Sequence, residues 1–220
     1  MNTAAIILAR GGSKGIAGKN LTRIGDHSLL GWAIESCRRA TFVQYILVST
    51  DDGGIAKEAE TYGVDVLWRP DALATDTARG VEALHHAVCS LPPKYDTVVD
   101  VECTTFPPYA RNIDATIRAL EDFDADSAMT VQEDVKFFWK ERRDGYAYPI
   151  NQFSPRNRQE AEQEYRLTGE CFALRRAIFE RIGECPVGRV VLVKVDQDQI
   201  DIDDQFDLDV ARMLHGRLYG

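Results

Sequence analysis

Residues 4–20 read AAIILARGGSKGIAGKN, an apolar run that stops at a loop carrying four glycines and the cations Arg10, Lys14 and Lys19. A short aliphatic run of this kind has the composition of a buried strand. Glycines directly after it let the backbone turn and bring its N–H groups up to a ligand. In an open α/β sheet, ligands settle beyond the carboxyl ends of the strands, so a loop following the first strand lies where a bound anion would lie. A glycine loop by itself is as readily a solvated turn, and its surroundings have to decide.

Outward from this stretch, short β-rich runs alternate with segments of helical period, the signature of a parallel sheet covered by helices. HSLLGWAIESCRRA (27–40) spaces Leu29, Leu30, Ala33, Ile34 and Cys37 along one helix face, YILVST (45–50) reads as a strand, and IAKEAETYG (55–63) reads as a helix closed by Gly63. The strand VDVLW, the helix ARGVEALHHAVCSL, the strand DTVVDV, the helix NIDATIRALEDF and the strand SAMTV continue the pattern to residue 131. After about residue 133 the alternation breaks. KFFWKERRDGYAYPI (136–150) reads as a hairpin turning at Asp144-Gly145, and NQFSPRNRQEAEQEY (151–165) lacks an apolar period and reads as a loop or an arm to a partner subunit. The strand ECFALR, the helix AIFERIG, the strand RVVLVKV and a last helix through FDLDVARMLHG return the chain to α/β. The expected fold is a single α/β domain over residues 1–220. It has a doubly wound, mostly parallel sheet and a protruding insertion at about 134–170 for dimerisation.

The bulk composition narrows the function classes. With 45% hydrophobic residues in 220, the chain can bury a substantial core. A net charge of -9 argues against nucleic acid or an anionic membrane as partner, so basic residues that do cluster gain meaning. Five cysteines without a C-x-x-C spacing suit reduced thiols in a cytoplasmic protein rather than a zinc site. No segment has the pattern of a signal peptide or the length of a membrane span.

The loop is not a Walker A motif, because Ser13 stands at its first glycine position and Asn20 at its last, and no G-x-G-x-x-G is present. At the other end, QIDIDDQFDLDV (199–210) is rich in carboxylates. If Ile200–Asp203 is extended, Asp201 and Asp203 project to one side while Ile200 and Ile202 turn inward. Asp204 and Asp207 fit a helix cap and its partner three residues on. A cap does not account for Asp201 and Asp203, and two such carboxylates suit Mg²⁺ (or Mn²⁺). A cationic glycine loop joined to an acidic metal pair is the equipment of nucleotidyl transfer, in which the phosphates are gripped and charge is neutralised as pyrophosphate leaves.

These segments carry a resemblance. IILARGGSKGIAGKN, SLLGWAIES, ILVSTDDGGIAKEAETYGVDV, WRPDALATDTA and QIDIDDQFDLDVA are similar to the acylneuraminate cytidylyltransferases, also called CMP-sialic acid synthetases. The resemblance implies a doubly wound nucleotidyltransferase fold, a homodimer, CTP and Mg²⁺, and a CMP-linked product plus pyrophosphate. It implies that Arg10, Gly11, Gly12, Ser13, Lys14, Lys19 and Asn20 form the triphosphate loop, with Lys19 and Arg10 catalytic. Arg69 would border the cytosine, Asp201 and Asp203 would hold the metal, and Arg158 and Arg166 would face the acceptor or the phosphates.

The departures fall mostly on the acceptor side. Where the family has LLQPTSPLR this chain has DVECTTFPPYAR, so that Glu102 replaces a glutamine, Phe106 a proline and Pro108 an arginine, beside Thr104 and Thr105. Thr168 stands where an asparagine would hold the sugar, and Arg79 replaces a small serine beside the nucleotide. The expectation is therefore CMP transfer to an acidic acceptor, either an acylneuraminate-like sugar acid or a small phosphonate such as phosphonoformate. Two other readings are a glycosyltransferase using Asp201-Ile202-Asp203 as its metal motif, and a nucleotide-binding protein without catalysis. His85 and His86, about 100° apart on a helix, read as structural. Trp32 reads as packing, Trp139 as a dimer anchor or local packing, and Asp51 and Asp52 as caps of the helix near Gly53.

Overall fold

The computed structural model describes residues 1–13, 15–134, 138–150 and 163–220. Its first half repeats strand and helix: β1 (Thr3–Leu8), the two-residue strands β2 (Arg23–Ile24) and β3 (His27–Ser28), α1 (Leu29–Arg39), β4 (Val43–Thr50), α2 (Gly53–Thr61) and β5 (Asp65–Trp68). Next come α3 (Gly80–Ser90), β6 (Thr97–Val101), the short β7 (Thr105–Phe106), α4 (Ala110–Asp122) and β8 (Ser127–Glu133). The hairpin strands β9 (Trp139–Glu141) and β10 (Ala147–Pro149) precede β11 (Tyr165–Arg175), α5 (Arg176–Ile182), β12 (Val190–Lys194), β13 (Ile200–Asp201) and α6 (Gln205–Tyr219).

Seven strands form the central sheet in the order β12-β8-β11-β6-β1-β4-β5. The pairings are parallel except that β11 runs antiparallel to both β6 and β8. Alternation along β1 feeds two cores. Ala5, Ile7 and Ala9 join α1, α2 and α4 on one face, while Ala4 and Ile6 join α3 and α5 on the other. A third, smaller core places Ile24, Trp32, Phe106, Ile202 and Leu208 together and docks α6 against α1 and the short strands β2, β7 and β13. Trp32 is a packing residue, as read, with its ring edge-on to Phe106 at 5.5 Å and its N–H donated to the Ile24 carbonyl.

Capping follows the sequence pattern closely. Asp52 accepts from the Ile55 amide at the start of α2, and Asp204 and Asp207 form a reciprocal box at the start of α6. Gly63 ends α2 with φ 65°, a left-handed conformation that glycine adopts without strain. The hairpin turns at Asp144-Gly145, where the Arg142 amide donates to the Tyr146 carbonyl. Its exposed Trp139, Tyr146, Tyr148 and Ile150 form an apolar surface on β9 and β10.

One element departs from the sequence reading. β11 begins at Tyr165, five residues before ECFALR, so that Arg166 and Thr168 belong to the central sheet and not to the insertion. The chain re-enters the sheet at the end where it left, with the Asp134 amide donating to the Glu164 carbonyl. A chain returning on its own side pairs antiparallel, and β11 therefore closes onto β8 before it meets β6. A register slip between Leu167 and Phe172 interrupts that pairing.

Candidate functional site

The strand order reverses at β1: β4 and β5 are added on one side of it and β6 on the other. That reversal leaves a crevice at the carboxyl ends of β1 and β6, the usual ligand position in such sheets. A cavity of about 380 Å³ occupies it, walled by Arg10, Ser13, Lys19, Arg69, Glu102 and Asp203 among others.

The glycine loop is held open over this cavity by contacts that only glycine allows. The Gly11 amide donates to Asp51 Oδ1 at 3.0 Å, and a Cβ on Gly11 would come within 2.8 Å of the Asp52 Cβ. A Cβ on Gly15 would lie 2.0 Å from the Asp203 carbonyl oxygen, so the loop touches the C-terminal acidic segment with bare backbone. Asn20 is buried and donates its amide to the Arg10 carbonyl at 3.0 Å, closing the loop on itself. Arg10 reaches the Thr75 carbonyl at 3.0 Å and Asp76 at 3.3 Å.

Lys19 joins the two ends of the chain. Its ammonium donates to the Ile202 carbonyl at 2.6 Å and to Asp203 Oδ1 at 3.3 Å, across 183 and 184 residues of sequence. Asp203 is largely exposed toward the cavity side and Lys19 is mostly covered. Asp201, two residues back, pairs with Thr105 in the β13–β7 ladder. Its carboxylate has no hydrogen bond or ion pair among the described residues. No three His, Cys, Asp or Glu side chains converge as a ready-made cage among the described residues. Two oxygen donors two residues apart, with one uncommitted carboxylate, fit a hard divalent ion that completes its shell with water and phosphate oxygens.

Glu102 ends β6 half-buried in the cavity wall. Burial raises its pKa from 4.5 to about 7, the negative charge of Asp201 adds to the rise, and Lys19 and Arg69 oppose it. Asp100, two residues back on the same strand face, is buried with Oδ1 unpartnered among the described residues, and burial next to Glu102 pushes its pKa well up. Arg69 is buried, donates to the Ser49 carbonyl at 3.0 Å and has its pKa lowered by that burial, with Asp51 opposing.

Arg10, Ser13, Lys19, Asn20, Arg69, Glu102, Thr104 and Asp203 thus meet in one cavity, with Gly11 and Gly12 in the loop above it. Others are placed elsewhere. Arg79 is exposed and makes two hydrogen bonds with Glu184, at 3.0 and 2.6 Å. The Thr105 and Thr168 hydroxyls are buried, the first against the Thr168 carbonyl and the second 2.6 Å from Thr130 Oγ1, so neither forms the cavity wall. Arg166 is engaged with Gln132 at 2.6 Å and Asp134 at 3.8 Å. Lys14 and Arg158 lie outside the described residues. Asp51 is a correction to the capping assignment: Asp52 alone caps α2, and Asp51 turns to hold the Gly11 amide. Only the fold reveals that role, because 40 residues separate the partners.

The sequence and the fold have counterparts among known proteins. Residues 4–143 match the family described as Cytidylyltransferase. N-acylneuraminate cytidylyltransferase B of Danio rerio is 26% identical over 214 residues, covering 94% of this chain and 50% of that protein. N-acylneuraminate cytidylyltransferase of Escherichia coli is 42% identical over 84 residues, which cover 38% of this chain and 20% of that protein. The chain therefore spans about half, or less, of the length of these curated relatives. Among solved structures, a CMP:2-keto-3-deoxy-manno-octonic acid synthetase complexed with CTP superposes with a TM-score of 0.77 at 16% identity, covering 99% of both chains. A 4-diphosphocytidyl-2C-methyl-D-erythritol synthase from Anaerococcus prevotii gives 0.72 at 16%, covering 98% of this chain and 96% of that one.

Proposed function

Because this chain belongs to the cytidylyltransferase family, we propose that it transfers CMP from CTP to an acidic acceptor, a sugar acid or a related compact acid, with release of pyrophosphate. The observation that carries the reading is the junction of Lys19 with Asp203, a cation of the N-terminal loop and a C-terminal carboxylate in the wall of one cavity.

The amides of the glycine loop, Ser13 and Lys19 hold the β- and γ-phosphates, and Arg10 adds charge at the loop's base. Asn20 and Asp51 keep the loop in shape, and Arg69 borders the base. Asp201 and Asp203 would hold Mg²⁺, which would supply positive charge against the phosphates. An acceptor oxygen attacks the α-phosphorus while the bond to the bridging oxygen breaks, and Lys19 stabilises the charge that develops on the departing pyrophosphate. The acceptor lies against Glu102 and Thr104. The exposed aromatic hairpin suits a homodimer contact.

The test is pyrophosphate release from CTP with a panel of sialic, other ulosonic and phosphono acids. Activity should appear with at least one acid and fall by about two to three orders of magnitude in Lys19→Ala and Asp203→Ala proteins that remain folded. Turnover near wild type in both would reject the assignment, and stabilisation by UTP or GTP but not CTP would reject the base.

A further inference from the structure

Glu170 is completely buried and takes no part in the cavity wall. It sits on β11 inside the register slip between Leu167 and Phe172, and a bulge of this kind re-aims the side chains it carries. Its Oε1 accepts from the Tyr109 amide at 2.5 Å and its Oε2 from Asn112 Nδ2 at 2.6 Å. The run-in to β13 reaches this carboxyl group through Asn112. Asn112 Nδ2 donates outward to Gln197 Oε1 at 3.0 Å, and Gln199 Nε2 donates to the Pro107 carbonyl at 3.1 Å. The Glu170 carbonyl meanwhile accepts from the Glu102 amide at 3.0 Å.

Directly, or through Asn112, one residue therefore ties three stretches of chain: β11 itself, the acceptor segment from Glu102 to the start of α4, and the run-in to β13. Immediately beyond these ties, β13 pairs with β7 and presents Asp201 opposite Thr105. Gly169, next to Glu170, has φ 75°, and a Cβ there would stand 3.8 Å from Asp201 Oδ2. Among the described residues Glu170 forms no ion pair. Burying a carboxyl group without a cation is costly, and its hydrogen bonds offset part of that cost. What such a network supplies beyond apolar packing is direction, because each bond fixes where a neighbouring segment must lie.

We infer that Glu170 is a positioning residue, setting the spacing between the acceptor segment and the strand that carries Asp201 and so the affinity of the site for the metal–nucleotide complex. The inference rests on the proposed use of Asp201 and Asp203 as metal carboxylates.

The experiment compares the full chain with Glu170→Ala, Glu170→Gln and Gln197→Leu. CTP binding is measured by calorimetry with and without Mg²⁺, and backbone amide exchange is followed over residues 104–112 and 197–203. Glu170→Ala is expected to weaken Mg²⁺-dependent CTP binding about tenfold, in the range seen when groups behind metal ligands are removed, and to speed exchange in both segments. CTP binding without metal should stay within about twofold, because the glycine loop is untouched. Glu170→Gln should recover both readouts in part, since flipped Asn112 and Gln197 amides keep its hydrogen bonds at the loss of the Gln197 bond to Asp196. A folded Glu170→Ala protein that binds Mg²⁺–CTP like wild type, or loosens only 104–112, overturns the inference. Should that variant fail to fold, Gln197→Leu, which cuts the link from Asn112 to the run-in, carries the same test, and unchanged exchange at 197–203 overturns it. Wild-type protein that ignores CTP at every Mg²⁺ concentration would instead sink the proposed reaction, and the exchange readout, which needs no ligand, would still decide the role of Glu170.

Discussion

Replacing Glu102 with glutamine should stabilise the metal-free protein, and by an amount that depends on pH. In the folded state this carboxyl group is moved from a pKa of 4.5 to about 7, first by burial and then by the charge of Asp201. Between those two values the native state binds more protons than the unfolded chain, so its stability falls as pH rises through the window and the loss is complete above it. At about 1.4 kcal/mol per unit, the shift sets a ceiling of roughly 3 kcal/mol on the penalty. Water in the open cavity screens the group, and we expect about half of the ceiling, near 1.5 kcal/mol. For a chain of this size that is about 3–6 °C in Tm. Glutamine keeps the shape without the charge. The difference between variant and wild type should be close to zero near pH 4, grow through the window and level off above about pH 8. Thermal or urea unfolding in EDTA at four or five pH values measures it. A variant no more stable than wild type at pH 8, or a difference that does not change with pH, would show that Glu102 is not held in its charged form against a local electrostatic cost.

Three further substitutions probe the loop and its surroundings. Gly15→Ala should weaken CTP binding and cost about 1–3 kcal/mol of stability, because its Cβ would lie 2.0 Å from the Asp203 carbonyl; unaltered binding would mean that the loop does not depend on this contact. Asp51→Ala should leave α2 intact, since Asp52 caps it, yet raise the KM for CTP by releasing the Gly11 amide, and a helix-melting signature without a change in KM would restore the capping role. Arg79→Ala should leave Tm almost unmoved, as exposed ion pairs contribute little, and raise the KM for CTP several-fold if the guanidinium leaves Glu184 for the nucleotide. An unchanged KM would place Arg79 outside the site.

How far the sequence could be read varied with the range of the interaction involved. AAIIL, the helical spacing of Leu30, Ala33 and Ile34, and the caps at Asp52 and Asp204 depend on neighbours within a turn or two, where residue type and period carry the information. The loop and the acidic pair were legible as chemistry, because few arrangements other than phosphate and metal binding account for them together. That Lys19 meets Asp203 was only an expectation from that chemistry, and it needed the sheet to bring positions 184 residues apart within 3.3 Å. The antiparallel entry of β11, the binding of Gly11 by Asp51 and the hub at Glu170 left no mark in local pattern. Nothing in the local pattern marks Glu170 and Thr168 as buried, because their burial depends on how β11 pairs across the sheet.

By itself, then, the order of residues determined the alternating α/β architecture, the helix limits and the class of chemistry at each end of the chain, since hydrophobic period and side-chain type are local properties. Which carboxylates stand free, which are tied to the backbone and which arginines face the cavity was decided only by tertiary structure, because burial and long-range pairing set the energy of a charge and neither exists before the sheet closes.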